Sequence, residues 1–197
     1  MNSLRITALA VVIMATLVAT ACSKHVVQRD QQRIAIANGV YLLLPQAAEL
    51  TESFNATQAI TAEYGDRSSS FEAHIETRPG KITIAALSAL GAAMFSITFD
   101  GMELRASGPV EEQLVNAEYV LADVLLAHWD PVWLNRRLEG AVIQTSLTSN
   151  ERFVTRDDEL IIGITYDSPD PWGGEATLTH IERQYVLHIT TAEFTVQ

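Results

Sequence analysis

From Ile60 onward, apolar and polar residues alternate in short runs of the kind a half-buried strand presents. Ile60, Ala62 and Tyr64 share one side of a first run. Phe71, Ala73 and Ile75 share one side of the next, and residues 65–70 read as the turn between them. Ile82, Ile84 and Ala86 continue the alternation after Pro79-Gly80. Phe95, Ile97 and Phe99 follow and end at Asp100-Gly101, a dipeptide suited to a two-residue hairpin. Met102 to Ala106 is the returning strand. Sequential strands joined by turns this short are antiparallel, because a parallel neighbour needs a crossover of a dozen or more residues.

Between Val110 and Leu138 the period changes. Leu114, Ala117, Leu121, Val124, Leu125 and His128 fall at helical spacing, with Glu112, Glu118 and Asp123 off that stripe, which predicts an amphipathic helix. Asp130 suits an N-cap and Pro131 the first position of a second, short helix running to Leu138, with Gly140 as its stop. Strand patterns resume at 147–155, 160–166, 175–180 and 184–190. The order strand, helix, strand predicts an α+β domain: one strongly curved antiparallel sheet with helices covering one face. No internal repeat interrupts it.

The first forty residues read differently. Arg5 precedes an apolar run from Ile6 to Val18, 13 residues that are too few to span a bilayer but suit the core of a signal peptide over residues 1–21. Ala19, Thr20 and Ala21 lead directly into Cys22. This junction resembles the bacterial lipobox, which implies that Cys22 is acylated, with palmitate among its chains, and becomes the membrane anchor. Ala19 stands where that motif prefers leucine, so an ordinary signal peptide that leaves Cys22 a free thiol stays open. By the same resemblance, Ser23 after the cysteine implies the outer membrane, with the protein facing the periplasm. Residues 22–40 are polar without a clear period and read as lipidated N-terminus and tether, leaving 41–197 as a single domain.

Composition removes several function classes. The 197 residues carry a net charge of -11 and only two lysines, Lys24 and Lys81, so a nucleic-acid partner has little to hold. One cysteine excludes an internal disulfide and a thiolate metal cluster. The five histidines, His25, His74, His128, His180 and His188, lack ligand spacing, and His128 at a helix end suits a structural role, so no metal is expected. There is no G-x-S-x-G elbow, no S-x-x-K motif, no Walker A loop and no G-x-G-x-x-G, and hence no catalytic set and no cofactor. Asp167, Asp170 and Glu175 could pair as acid and base, but the run Ser168-Pro169-Asp170-Pro171-Trp172-Gly173-Gly174 reads first as a rigid turn. Phe71, Phe95, Phe99, Trp129, Trp133 and Trp172 leave two readings open: an ordinary core, or the lining of a cavity for acyl or polyene chains, with Phe95, Phe99, Trp129 and Trp133 as candidate walls.

Several segments together resemble a bacterial lipoprotein family, domain of unknown function 3261. They are Ile82-Thr83-Ile84, Ser88-Ala89-Leu90-Gly91, Phe95 to Gly101, Leu121 to Trp129, Ile164 to Asp167 and Asp170-Pro171-Trp172. That family is similar in turn to the periplasmic carrier LolA and the outer-membrane acceptor LolB, whose fold is an open curved antiparallel sheet covered by helices. The resemblance implies a role in envelope assembly, beside fatty-acid-like and aryl-polyene biosynthesis. It also implies that Leu90, before Gly91, occupies a loop whose leucine aids lipid delivery, with Ala89 where a proline often stands. A partly buried turn residue is the other reading of Leu90. The expectation is therefore a non-enzymatic lipoprotein, anchored through Cys22, that binds or transfers a lipid, acyl or polyene cargo. Envelope-biosynthesis or lipoprotein-transport proteins are its expected partners. A tethered scaffold of a biosynthetic or export complex is the alternative, and a hydrolase or acyl transferase a third.

Overall fold

The computed structural model describes residues 32–108, 116–146 and 148–197. Strands β1 (Arg33–Ala37) and β2 (Val40–Leu43) form a hairpin, and a 3₁₀ turn at Ala47–Glu49 leads into a meander of five strands. These are β3 (Phe54–Tyr64), β4 (Arg67–Arg78), β5 (Lys81–Leu87), β6 (Ala93–Phe99) and β7 (Leu104–Ser107). Helices α1 (Ala117–His128) and α2 (Pro131–Asn135) and the short strand β8 (Leu138–Glu139) follow. A second meander completes the body: β9 (Val142–Ser146), β10 (Glu151–Arg156), β11 (Glu159–Tyr166), β12 (Glu175–His180) and β13 (Tyr185–Val196).

Ten strands make one antiparallel sheet in the order β7-β6-β5-β4-β3-β13-β12-β11-β10-β9, and β1-β2-β8 make a small second sheet. The two meanders join where β3 pairs with β13 from Tyr64 opposite Tyr185 to Phe54 opposite Val196. Strands β7 and β9 stay unpaired with each other, so the sheet is curved but open. Register shifts between Ala86 and Leu87, Val154 and Thr155, and Thr191 and Glu193 each add a local bend. The bend brings both ends of the sheet onto the helices: α1 touches β7 at one edge and α2 touches β9 at the other. This is an α+β fold with its helices on one face of the sheet.

Period-2 alternation sends Ile82, Ile84 and Ala86 of β5, Ile97 and Phe99 of β6, and Ile162 and Ile164 of β11 into one buried cluster. Leu121, Leu125 and Leu126 of α1 and Ile34, Ile36, Val40 and Leu42 of the small sheet fill the same concave side. Each such side chain contributes about 1.5–3 kcal/mol on burial. Thr57, Thr61, Glu72, His74, Glu76 and Ser96 take the alternate positions on the outer face.

The structure departs from the sequence pattern in several places. The body begins earlier than residue 41, since Ile34 and Ile36 of β1 are buried inside the segment read as tether; two isoleucines are too few to establish a period. Gly65-Asp66 alone forms the first turn, with Tyr64 opposite Arg67, and residues 67–70 are strand whose polar side chains reach past the core. Asp100 caps a longer turn by accepting the Met102 and Glu103 N–H groups at Oδ1, so the return strand starts at Leu104. Helix α1 starts at Ala117 because Asn116 Oδ1 accepts from the Glu118 and Tyr119 N–H groups, and α2 stops at Asn135, freeing Leu138 to pair with β2. The positions of Leu114 and Leu147 lie outside the described residues, and so do the segment read as a signal peptide and Cys22. No described helix is long and apolar enough to cross a membrane.

Candidate functional site

Helix α1 ends against two side chains that settle its last carbonyls. The Arg152 guanidinium, buried on β10, donates to the carbonyls of Leu126 and Trp129 at 3.1 and 2.7 Å, and the Tyr166 hydroxyl donates to Ala127 O at 2.5 Å. Burial lowers the pKa of Arg152, and the negative end of the helix dipole stands where a carboxylate partner would otherwise be required. His128, the last helical residue, donates from Nδ1 to Pro171 O at 2.8 Å. Its Nε2 therefore accepts from the amide of buried Gln58 at 3.2 Å. Burial drives this imidazole down to a pKa of about 4, so it is neutral at ordinary pH.

The hydrogen bond to Pro171 ties the β11–β12 loop to the helix end and lays Trp172 flat on the imidazole, with ring centroids 4.0 Å apart at 14°. Phe194 stacks on the other face of Trp172 at 5.0 Å, and Phe54 closes against both Trp172 and Trp129. Asp130 caps α2 by accepting the Trp133 N–H at 2.8 Å, with Pro131 at the first position, and this short turn of helix carries Trp133 over the same region. Arg137 covers one face of the Trp133 ring at 4.0 Å and pairs with Glu49, whose carboxyl it holds below its ordinary pKa.

These elements enclose a pocket of about 220 Å³. Its walls are Leu50, Thr77, His128, Trp129, Trp133 and Trp172, with Glu49, Thr51, Glu52 and Asp130 completing the lining. All three tryptophans of the chain meet here. Thr77 arrives by alternation from Ala73 and Ile75 of β4 and is only 1% exposed, yet its Oγ1 has no hydrogen-bond partner.

The pocket lies at the end of the sheet that carries the β4–β5 turn. At the opposite end, the β5–β6 loop holds Leu90 at 96% exposure. Ser88 binds this loop across its base: its N–H donates to Ala92 O and its carbonyl accepts the Gly91 N–H, both at 2.8 Å, while its Oγ accepts the Ala92 N–H. Gly91 turns the chain at φ +77°, a conformation suited to glycine. The stiffness that a proline at position 89 would give is supplied by these bonds, and Leu90 stands in water rather than in a half-buried turn.

The residues singled out in the sequence thus separate. Trp129 and Trp133 line the pocket, whereas Phe95 and Phe99 are buried in the core cluster, Phe95 edge-on to Phe71. Trp172, read as part of a rigid turn, is a pocket wall, and Thr77 and Leu50 carry no signal in the sequence that marks them. Asp167 and Asp170 do form the turn: they accept the backbone N–H groups of Glu175 and Trp172. His74 pairs with Glu72 on the outer face, His180 meets Ile36 O in the interior, and His188 lies near Glu63. Among the described residues no three His, Asp or Glu side chains converge as metal ligands.

The model of the family described as protein of unknown function DUF3261 matches residues 55–193, from the second residue of β3 through most of β13. The chain belongs to the DUF3261 family. No curated protein matches it in sequence. Among solved structures, this DUF3261 chain is similar to a LolA superfamily protein of Nitrosomonas europaea, at 12% identity and TM-score 0.43, over 77% of this chain and 90% of that one. It is also similar to a Vibrio parahaemolyticus domain named for outer-membrane lipoprotein sorting, at 11% identity and TM-score 0.38, over 74% and 86% of the two chains.

Proposed function

We propose that this protein is a non-enzymatic lipoprotein, anchored in the outer membrane through acylated Cys22 and facing the periplasm, that receives or passes on a lipid-like molecule during envelope assembly. The observation that carries this reading is Leu90. A leucine held at 96% exposure by a loop with three hydrogen bonds across its base forgoes about 2 kcal/mol of burial. An apolar surface, membrane or cargo, recovers that free energy on contact. The aromatic pocket supports the reading by offering an apolar receptor at the other end of the sheet, with Trp129 and Trp133 as its walls. Phe95 and Phe99 are buried in the core, so cargo meets them only if the core opens. An acyl or aryl-polyene product is the cargo that the family resemblance implies.

Leu90→Glu tests the reading. The loop bonds use backbone groups and Ser88, so the variant folds as the parent does and loses transfer of labelled lipid between vesicles in a reconstituted assay. Unchanged transfer counts against the proposal. The scaffold reading is favoured by one observation, since Tyr64 and Ile181 are also exposed on turns at the Leu90 end of the sheet. Co-purification of a protein partner without bound lipid selects it.

A further inference from the structure

The chemistry of the pocket is narrower than that of an apolar cleft. Thr77 Oγ1 is buried on its wall without a partner, in a strand whose backbone groups are engaged with β3 and β5. A buried hydroxyl left unpaired costs about 1–3 kcal/mol. The indole N–H groups of Trp129, Trp133 and Trp172 donate to none of the described residues. His128 has spent both ring nitrogens on Pro171 and Gln58, and Asp130 Oδ1 accepts the backbone N–H of Trp133. The pocket therefore has the Thr77 hydroxyl to offer as a donor, and its lining carries no lysine or arginine.

Charge then selects among ligands that accept hydrogen bonds. Glu49, Glu52 and Asp130 lie in the lining, and His128 is neutral, so a carboxylate or phosphate meets repulsion without a compensating cation. An alkylammonium group fits the carboxylates, but it cannot accept from the Thr77 hydroxyl, and the faces of Trp172 are already covered by His128 and Phe194. A volume of about 220 Å³ holds a group larger than benzene, which fills an apolar cavity of about 150 Å³. We infer that the pocket bounded by Thr77, Leu50 and the three tryptophans binds the uncharged carbonyl end of an acyl amide or ester, with the Thr77 hydroxyl donating to the carbonyl oxygen. This deepens the carrier reading and rests on it for the use of the site.

Because the chain has no tryptophan elsewhere, its intrinsic fluorescence reports on this pocket. The test titrates the purified full-length chain carrying Cys22→Ser with four six-carbon probes: hexanamide, methyl hexanoate, hexanoate and hexylammonium. The amide or the ester, or both, saturate the fluorescence change, and each charged probe binds at least tenfold more weakly. A response to the amide alone marks an acylated amine as the source, and to the ester alone a glycerol-type lipid. Thr77→Val keeps the side-chain shape and weakens the neutral probes about tenfold, in line with the loss of one hydrogen bond. Thr77→Ser retains the binding.

No saturable change with any probe, equal affinity across the four, or unchanged affinity in Thr77→Val overturns the proposal. Leu90→Glu separates it from the carrier reading. Probe binding that persists in a wild-type chain unable to move lipid supports the pocket chemistry and removes the carrier role. Normal transfer by a chain that does not distinguish the probes removes the pocket chemistry and leaves the carrier role.

Discussion

His128 can be titrated only by breaking the contacts that hold the β11–β12 loop. Its Nε2 accepts from Gln58, so a proton added there turns an acceptor into a donor facing the Gln58 amide, in a site buried under Trp172. The folded protein binds this proton at a pKa of about 4, against 6.5 for an ordinary histidine, so the unfolded chain takes it up first. The stability that neutral His128 supports is complete above pH 6.5 and is lost as the pH falls toward 4. At about 1.36 kcal/mol per unit, the loss reaches about 2 kcal/mol near pH 5 and about 3 kcal/mol near pH 4. His128→Asn places an amide donor near the position of Nδ1 and does not titrate. It gives up the ring stack and the Gln58 contact, a cost of about 1–2 kcal/mol at neutral pH. Urea unfolding of both chains across this range removes the carboxylate titrations they share. The two stability curves converge as the pH falls and cross between about pH 6 and pH 5, where the histidine loss equals the cost of the substitution. Parallel curves from neutral pH down to pH 4 refute the assignment of His128 as the neutral clamp of the loop.

Other outcomes follow from single contacts. Arg152→Met leaves the carbonyls of Leu126 and Trp129 unpaired at the helix end and lowers the urea-unfolding free energy by about 3 kcal/mol. Gly101→Ala places a Cβ 2.1 Å from the Ala47 nitrogen at a φ of +80°, so calorimetry shows a fall in Tm well beyond that of an alanine substitution on the outer face. Asp123, under the hydroxyl of Tyr185, is raised to a pKa of about 7 by burial. Its contribution is full below the ordinary carboxylate value of 3.8 and is lost as the pH rises toward 7, and Asp123→Asn flattens that part of the stability profile.

The sequence reveals this fold wherever order is periodic and local. Ile82, Ile84 and Ala86 declare the core side of β5, and Asp130-Pro131 declares the start of α2, because the information sits within a few residues. The small sheet leaves no comparable trace. Leu138 joins it through two residue pairs with β2, and Ile34 and Ile36 make too short a run to establish a period. The pocket is harder still to read, since Leu50, Thr77, Trp133 and Trp172 come from four segments and share no spacing. Trp129 and Trp133 stand out in the sequence for their type, but the same aromatic rule admits Phe95 and Phe99, which the alternation of β6 sends into the core. Leu90 shows the limit most plainly, because only the loop bonds of Ser88 decide whether a turn leucine faces inward or outward.

The two strands at the middle of the large sheet, β3 and β13, are the first strand of one meander and the last strand of the other. Each meander on either side can zip locally, hairpin by hairpin, but the seam between them is a contact of very long sequence separation. Such seams are slow to close and leave two unsatisfied strand edges in the interval. Until β13 is laid down, the chain is two half-sheets with open borders, ready to pair with other extended chains. A protein built this way needs protection while it is being made and moved, and the strand that ends its exposure is the one that completes its middle.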